Sequence, residues 1–311
     1  MKILCVCLSA TIQRTLRFGS FSVGKVNRTS DFREDASGKA VNSARVLNQL
    51  SPGCAEVLCP VGRENGGRFM ELAERDCMVV HAVEVGGKVR ECWTLLGRGG
   101  ETTEVVADEN GFSGNASENS EAFVSAFCGL LGGFDAVLFS GSRPVFFGAD
   151  INKRICSEAK SNGKTLFVDF TGESLLSVLE DECSRPDVVK INDEEFLGTF
   201  YPALKSCPRS EKVDIAPLVL EKSSFYGAAF VVTAGSGQTI AASDGRLSRC
   251  ESERIPSEML LNTTACGDSF GAGFLFEFAE KRGKRGIEEA LRKGTWCASR
   301  NAESMVPGSV L

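Results

Sequence analysis

The feature that most restricts how this chain can fold is a regular alternation of helical and strand patterns from about residue 120 to residue 233. A helical stretch, Ala122–Leu131, leads into an apolar run, Ala136–Ser140. A helix at about 149–161 precedes the run Thr165–Asp169. A helix over Ser174–Leu179 precedes Val188–Ile191, a further helix starts at Asp193, and Ala229–Thr233 closes the series. Strands and helices at this spacing predict parallel βαβ units, with ligands at the carboxyl ends of the strands. Polar residues stand at those ends: Ser140, Asp169, Asn192, Glu195, Thr233 and Gly235. The run Ile3–Leu8 adds a central strand. It is short, has one nearby lysine and lacks a cleavage pattern, so it reads as buried strand and not as a signal peptide.

A second stretch, Leu261–Gly273, concentrates small residues in a turn and then starts a helix. Phe270, Phe274 and Phe278 recur every fourth residue, as one helix face would. Thr263, Thr264 and Ser269 are residues that cap or start helices. Short side chains at 265 to 267 leave amides able to converge on one point, and a helix N-terminus of this kind binds anions, phosphate above all. Asp268 would repel such an anion. Its presence makes sense if it takes a proton from an attacking hydroxyl while the amides hold a phosphoryl group. The plainer reading is a first-turn aspartate that satisfies an amide.

The first 120 residues are less regular. Ser9–Thr15 reads as a loop, followed by short alternating stretches at Leu16–Phe18 and Val26–Phe32. Lys88–Val106 alternates around Gly97-Arg98-Gly99-Gly100, as a hairpin would. These segments suit a small exposed sheet. Ala36–Asn42 is another turn of small residues, running into Ala44, Val46, Leu47 and Leu50 at helical spacing and carrying Lys39. Taken alone, that lysine is simply exposed. Val57–Val61 predicts a strand, Gly66–Glu74 a helix and Gly111–Asn119 a polar loop, with Pro144, Pro186 and Pro208 in loops.

Composition excludes several classes. The 311 residues are 42% hydrophobic and 24% charged, an ordinary soluble balance. Net charge is −6 with no basic block, which argues against nucleic acid, so an anionic ligand needs a locally positive pocket. No apolar run approaches the ~20 residues of a membrane span. The 13 cysteines are scattered, and Cys5, Cys7, Cys59, Cys128 and Cys297 lie in apolar surroundings. They read as core residues in a reducing cytoplasm. His81 is the only histidine, which removes a Cys/His zinc site and Ser-His-Asp catalysis and leaves it a structural role. Gly163-Lys164-Thr165 is no P-loop, since Glu158 stands where the leading glycine belongs and a strand follows.

Five stretches in order resemble the ribokinase-like, or PfkB, carbohydrate kinases, closest to their 1-phosphofructokinase and tagatose-6-phosphate kinase branch. Ser37–Arg45 resembles G-G-K-G-x-N-x-A-R, and Ser140–Pro144 resembles S-G-S-L-P. Lys190–Glu195 resembles K-P-N-x-x-E, and Asn262–Ser269 resembles the T-x-G-A-G-D signature. Asn301-Ala302 with Gly308 and Val310 is similar to the family's C-terminal helix. The resemblance implies an α/β/α sandwich with a mostly parallel sheet, in one domain over 1–311, with a β-sheet lid from about 14–32 and 88–106. It implies ATP and Mg²⁺ as cofactors and a sugar phosphate as acceptor. Asp268 would be the general base, with the amides of Ala265, Cys266 and Gly267 as anion hole. Gln13, Lys25, Gly38, Lys39, Asn42, Arg90 and Ser140 would bind substrate. Thr233, Gly235, Gly237 and Asn301 would line the nucleotide. Asn192 and Glu195 would hold the metal through water. A homodimer through the lid sheet would follow.

The departures touch the acceptor side. The branch reads N-P-A-x-D-R where this chain has Ser9–Arg14, so Gln13 replaces an aspartate. Losing a charged hydrogen bond costs roughly 1.5–3 kcal/mol of binding. Ser37 and Ala40 replace glycines and narrow the space, and Gln238 stands at a usual glycine of the nucleotide loop. Two alternatives therefore stand beside a sugar-phosphate kinase: a kinase for an unphosphorylated sugar or nucleoside, and an inactive sensor of the same fold.

Overall fold

The computed structural model describes residues 1–97, 101–107, 111–205, 213–280 and 286–311. Its strands are β1 (Ile3–Val6), β2 (Thr11–Arg17), β3 (Phe32–Ser37), β4 (Ala55–Gly62), β5 (Val80–Gly87), β6 (Arg90–Leu96) and β7 (Thr102–Ala107). They continue as β8 (Phe112–Ser113), β9 (Ala136–Ser140), β10 (Thr165–Asp169), β11 (Val188–Asn192), β12 (Ala229–Thr233), β13 (Gln238–Ser243) and β14 (Arg246–Glu251). Every residue of β1 and β9 is buried, as continuous apolar strands covered on both faces must be.

The large sheet has ten strands in the order β14-β13-β12-β11-β10-β9-β1-β4-β5-β8. Every adjacent pair from β12 to β5 is parallel, and β13, β14 and β8 add antiparallel edges. Lys39–Leu50, Cys266–Glu280 and Ile287–Ala302 pack together as one helical layer. Ala116–Leu130, Ile151–Ser161, Gly172–Leu179 and Asp193–Phe200 form another, which gives an α/β/α sandwich. The chain leaves β1 toward β4 on one side and returns to β9 on the other. This reversal opens a crevice at the carboxyl ends of the strands, where doubly wound sheets bind ligands.

A four-stranded sheet, β3-β2-β6-β7, stands apart from the large one. Its central pair, β2 and β6, is parallel and its outer pairs are antiparallel. Thr11–Thr15, expected to be loop, is strand here, and much of the expected lid segment 14–32 is the connection 18–31. Polar side chains masked the strand pattern, because Thr11, Gln13 and Thr15 are buried against the body of the molecule. The hairpin around residue 97 forms as β6 and β7, while Arg98, Gly99, Gly100 and Pro208 lie outside the described residues. Gly111–Asn119 is not all loop: β8 pairs with β5, and the side chain of Asn115 accepts from the Ser117 and Glu118 amides to start a helix.

Cys5, Cys7, Cys59 and Cys297 are buried as expected, but Cys128 is exposed. His81 Nε2 lies 2.6 Å from Glu56 Oε2, and Lys2 Nζ donates to Glu56 Oε1 at 3.2 Å. The hydrogen bond from His81, with Lys2 beside it, holds the Glu56 carboxyl below the usual range despite partial burial. Among the described residues no helix is long and apolar enough to cross a membrane.

The helix Cys266–Glu280 is fixed by its aromatic face. Phe274 is fully buried, its ring centroid 6.1 Å from Phe270, 5.6 Å from Phe278 and 6.2 Å from Phe167 of β10. Phe274→Ala should cost about 3–5 kcal/mol of unfolding free energy through lost burial and a residual cavity. Chemical denaturation measures that loss.

Candidate active site

The helix Cys266–Glu280 begins where Asn262–Ala265 turns the chain toward the crevice. The Asn262 side chain accepts from the Thr264 amide at 2.9 Å, and Ala265 takes φ 66°. A non-glycine residue in the left-handed region costs about 1–2 kcal/mol. The Ser269 amide donates to the Ala265 carbonyl at 2.9 Å and so holds the conformation from the helix side. The Cys266 amide is already turned to the Thr263 carbonyl at 3.3 Å. Among the described residues the Ala265 and Gly267 amides make no such bond. Two of the three expected anion-hole amides therefore stand available, and the third would have to release a long hydrogen bond.

Asp268, one residue on, is 8% exposed. Asn42 Nδ2 donates to its Oδ2 at 2.8 Å, and Ser43 Oγ donates to its carbonyl at 3.0 Å. The orientation of the Asn42 amide follows from its other side. Ser37 Oγ and Arg45 Nη1 both approach Asn42 Oδ1, at 2.9 and 3.4 Å. Arginine can only donate, so that atom is the oxygen and the NH₂ must face Asp268. Ser37, expected only to narrow the acceptor space, thus helps aim the amide that orients the acid. Arg45 is itself buried, bonded to Asp76, to the Ala36 carbonyl and to the Pro307 carbonyl.

The positive charge comes from two lysines around one carboxylate. Lys39 Nζ lies 3.3 Å from Asp169 Oδ1, and Lys190 Nζ 2.9 Å from Asp169 Oδ2. Burial pushes the Asp169 carboxyl up, but Lys190 and Lys39 outweigh it and leave it below its usual range. Asp169 in turn raises the Lys39 ammonium against its burial, helped by Asp268 and Glu195. Three charges in this trio sum to one net positive. Lys190 also lies against the anion turn, since a Cβ on Gly267 would meet its Nζ at 3.0 Å. Asp268 is pushed up to about 6 from 3.8, chiefly by burial, with Lys39 and Asn42 pulling the other way.

A cleft of about 970 Å³ opens on the far side of the turn. Lys190, Asn192, Thr233, Gly235, Cys266 and Gly267 are among its lining. Gly237 is not in its wall: its amide donates to the Ala234 carbonyl at 2.8 Å within the loop. Asn301, expected to line the nucleotide, is fully buried and braces the site instead. Its Nδ2 donates to the Thr264 carbonyl at 2.8 Å, and its Oδ1 accepts from Ser269 Oγ and the Gly308 amide at 3.1 and 2.7 Å. Asn192 and Glu195 form a reciprocal cap on helix Asp193–Phe200, each side chain accepting from the other's amide.

The acceptor-side residues are split. Gly38, at φ 124°, lies so close to Cys7 and Ser9 that a Cβ would meet Cys7 Sγ at 2.9 Å. Ser140 Oγ donates to the Asp169 carbonyl at 3.4 Å. Arg90 Nε donates to Thr11 Oγ1 at 2.7 Å, and Gln13 Nε2 to Thr94 Oγ1 at 2.6 Å. Lys25 is exposed on the connection 18–31, where its backbone bonds to Ser22 and Asn27.

A pfkB family carbohydrate kinase profile matches residues 2–309, nearly the whole chain. The chain belongs to the pfkB family of carbohydrate kinases. Among solved structures, a possible 1-phosphofructokinase from Thermotoga maritima superposes with a TM-score of 0.83 at 20% identity, covering 99% of this chain and 93% of that one. Phosphofructokinase-2 from Escherichia coli in complex with fructose-6-phosphate superposes at 0.79 and 19% identity, covering 97% and 93%. A tetrameric inhibited form of that enzyme superposes at 0.77 and 19%, covering 97% and 94%. In this pfkB kinase Lys190 and Asp169 complete a charged centre that motif spacing alone did not single out. Only the lysine stands inside a recognisable stretch.

The raised Asp268 carboxyl makes folding favour its protonated form. That group opposes folding fully above about pH 6 and not at all below the ordinary aspartate value. Asp268→Asn should therefore stabilise the protein at pH 8 by about 1–3 kcal/mol, and the gain should vanish near pH 4. Denaturant midpoints across that pH range measure the difference.

Proposed function

We propose that this carbohydrate kinase moves the γ-phosphate of ATP to a hydroxyl of a sugar phosphate, with Asp268 as general base. The observation that carries the reading is Asp268 itself: a buried carboxyl near pH 6, held by Asn42 at a helix N-terminus beside Lys39 and Lys190. A base with its midpoint close to working pH combines adequate ionisation with driving force for accepting the proton. The Ala265 and Gly267 amides would receive the transferring phosphoryl group, with Lys190 neutralising its charge. Stabilising that charge and positioning the reactants is most of what phosphoryl transfer asks of a protein. Lys39 and Arg90 are the cations for the phosphate the acceptor already carries, with Gln13, Gly38, Ser140 and, less directly, Lys25 around it.

ATP would occupy the 970 Å³ cleft, against Thr233 and Gly235. Among the described residues no group of three or more acidic, His or Cys side chains could cage a metal by itself. The residues present fit a Mg²⁺ ion shared with the triphosphate. Asn192 lines the cleft and Glu195 caps the same helix start, its charge felt by Lys39, and the two side chains offer amide and carboxylate oxygens suited to metal-bound water. The ion would supply charge neutralisation of the phosphates.

The small sheet would exclude water over the acceptor. It carries exposed apolar side chains, among them Phe21, Val23, Val26 and Val105 on its loop and edge strand. They support a homodimer through the lid, which light scattering would detect. Free thiols at Cys5, Cys7, Cys59 and the other described cysteines fit a cytoplasmic setting.

Asp268→Asn should lower kcat by about 10²–10⁴-fold while nucleotide affinity is kept. The assay is ADP release with MgATP and a panel of fructose 1-phosphate, tagatose 6-phosphate, fructose 6-phosphate, free hexoses and nucleosides. Turnover with unphosphorylated acceptors alone would refute the phosphate-binding role given to Lys39 and Arg90.

A further inference from the structure

The face of the small sheet that looks into the site can be read from its register. β6 and β7 pair Thr94 with Glu104 and Cys92 with Val106, and β2 and β6 pair Thr15 with Thr94 and Gln13 with Cys92. Side chains directly opposite one another, and those two residues along, share a face. Gln13, Thr15, Thr94, Thr102 and Glu104 are therefore on one side of the sheet. That side meets the anion turn, since Thr102 Oγ1 lies 3.5 Å from Thr263 Oγ1.

Glu104 Oε1 lies 3.5 Å from Thr94 Oγ1 and 3.5 Å from Thr264 Oγ1. Both distances are at the long edge of hydrogen bonding, and the residue is exposed. Gln13 and Asp35 on this face are committed elsewhere. Gln13 Nε2 is bonded to Thr94, and Asp35, opposite Gln13, is clamped by Arg33 at 2.7 Å and Arg75 at 2.9 Å. Thr15 Oγ1 is buried and finds no hydrogen-bond partner among the described residues. A carboxylate with weak, long contacts thus overhangs the space between the uncharged Gln13 and the phosphoryl-transfer turn.

We propose that Glu104 is a specificity-determining residue of the acceptor site, its carboxylate accepting a hydrogen bond from a hydroxyl of the sugar. Hydroxyl donors bind an ionised acceptor about twice as strongly as a neutral one. The charge missing from position 13 is supplied from two strands away. By bonding the acceptor beside Thr264, Glu104 also draws β7 onto the turn. This inference rests on the sugar-phosphate reading above.

The test is calorimetric binding of fructose 6-phosphate, fructose 1-phosphate and tagatose 6-phosphate to the whole protein saturated with a non-hydrolysable ATP analogue. Glu104→Gln should weaken the best-bound sugar phosphate roughly tenfold to a hundredfold, with affinity for the ATP analogue changed by less than about twofold. Glu104→Asp should retain part of the affinity. Gln13→Asp placed in the Glu104→Gln background should recover part of it, which a merely structural role would not allow. Unchanged sugar-phosphate affinity in Glu104→Gln overturns the proposal, as does an equal loss for sugar phosphate and nucleotide. A wild-type protein that binds none of the three overturns it too. The kinase reading is decided separately by acceptor-dependent ADP release, so the two failures are distinguishable.

Discussion

The hydrogen bond from Asn42 to Asp268 is the contact on which the site depends. A carboxylate taken out of water is costly unless donors or cations compensate it. Asp268 is compensated only in part, by one amide donor and by the fields of Lys39 and Lys190, and its carboxyl is pushed up to about 6. Asp169 shows the other outcome. It is as deeply buried, yet two ammonium groups bond it directly and its carboxyl falls below the usual range. Two aspartates in one pocket are thus driven apart in acidity by their partners, one left fit to accept a proton and the other fixed as a counter-ion.

The partial compensation has to be held in place, and the elements that hold it come from distant parts of the sequence. Arg45 on helix Lys39–Leu50 reaches the Pro307 carbonyl, and Asn301 ties the anion turn to Gly308. Gly308 takes φ 74°, and a Cβ there would meet the Asn42 carbonyl oxygen at 2.6 Å. The tail, helix Lys39–Leu50 and helix Ile287–Ala302 are tied together through the buried side chains of Arg45 and Asn301, each making several hydrogen bonds. Such networks fix geometry more firmly than apolar contact alone.

Much of this was legible in the residues. Continuous apolar runs such as Ala136–Ser140 and Ala229–Thr233 have few conformations open to them between helices, so the parallel sheet could be read directly. Asp268 stood out because a carboxylate in an anion-binding turn asks for an explanation. The small sheet was harder. Thr11, Gln13 and Thr15 are buried polar residues, and a pattern of hydropathy cannot separate them from a loop. Asn301 was read as a nucleotide contact because a motif gives position along the chain and not the direction in which a side chain points. Asp169 gave only its place at the end of a strand, since its role depends on Lys39 and Lys190, which folding alone brings to it.

The strand β3 ends at Ser37, and the Ser37 hydroxyl is one of the two groups that settle which way the Asn42 amide faces. The small sheet and Asp268 are therefore mechanically linked through Ser37 and Asn42. Were the sheet to swing outward, Ser37 would be pulled with it and Asn42 would keep only the longer Arg45 contact as its guide. The aim of Asp268 and the seating of the small sheet are thus joined through one hydroxyl at the end of β3.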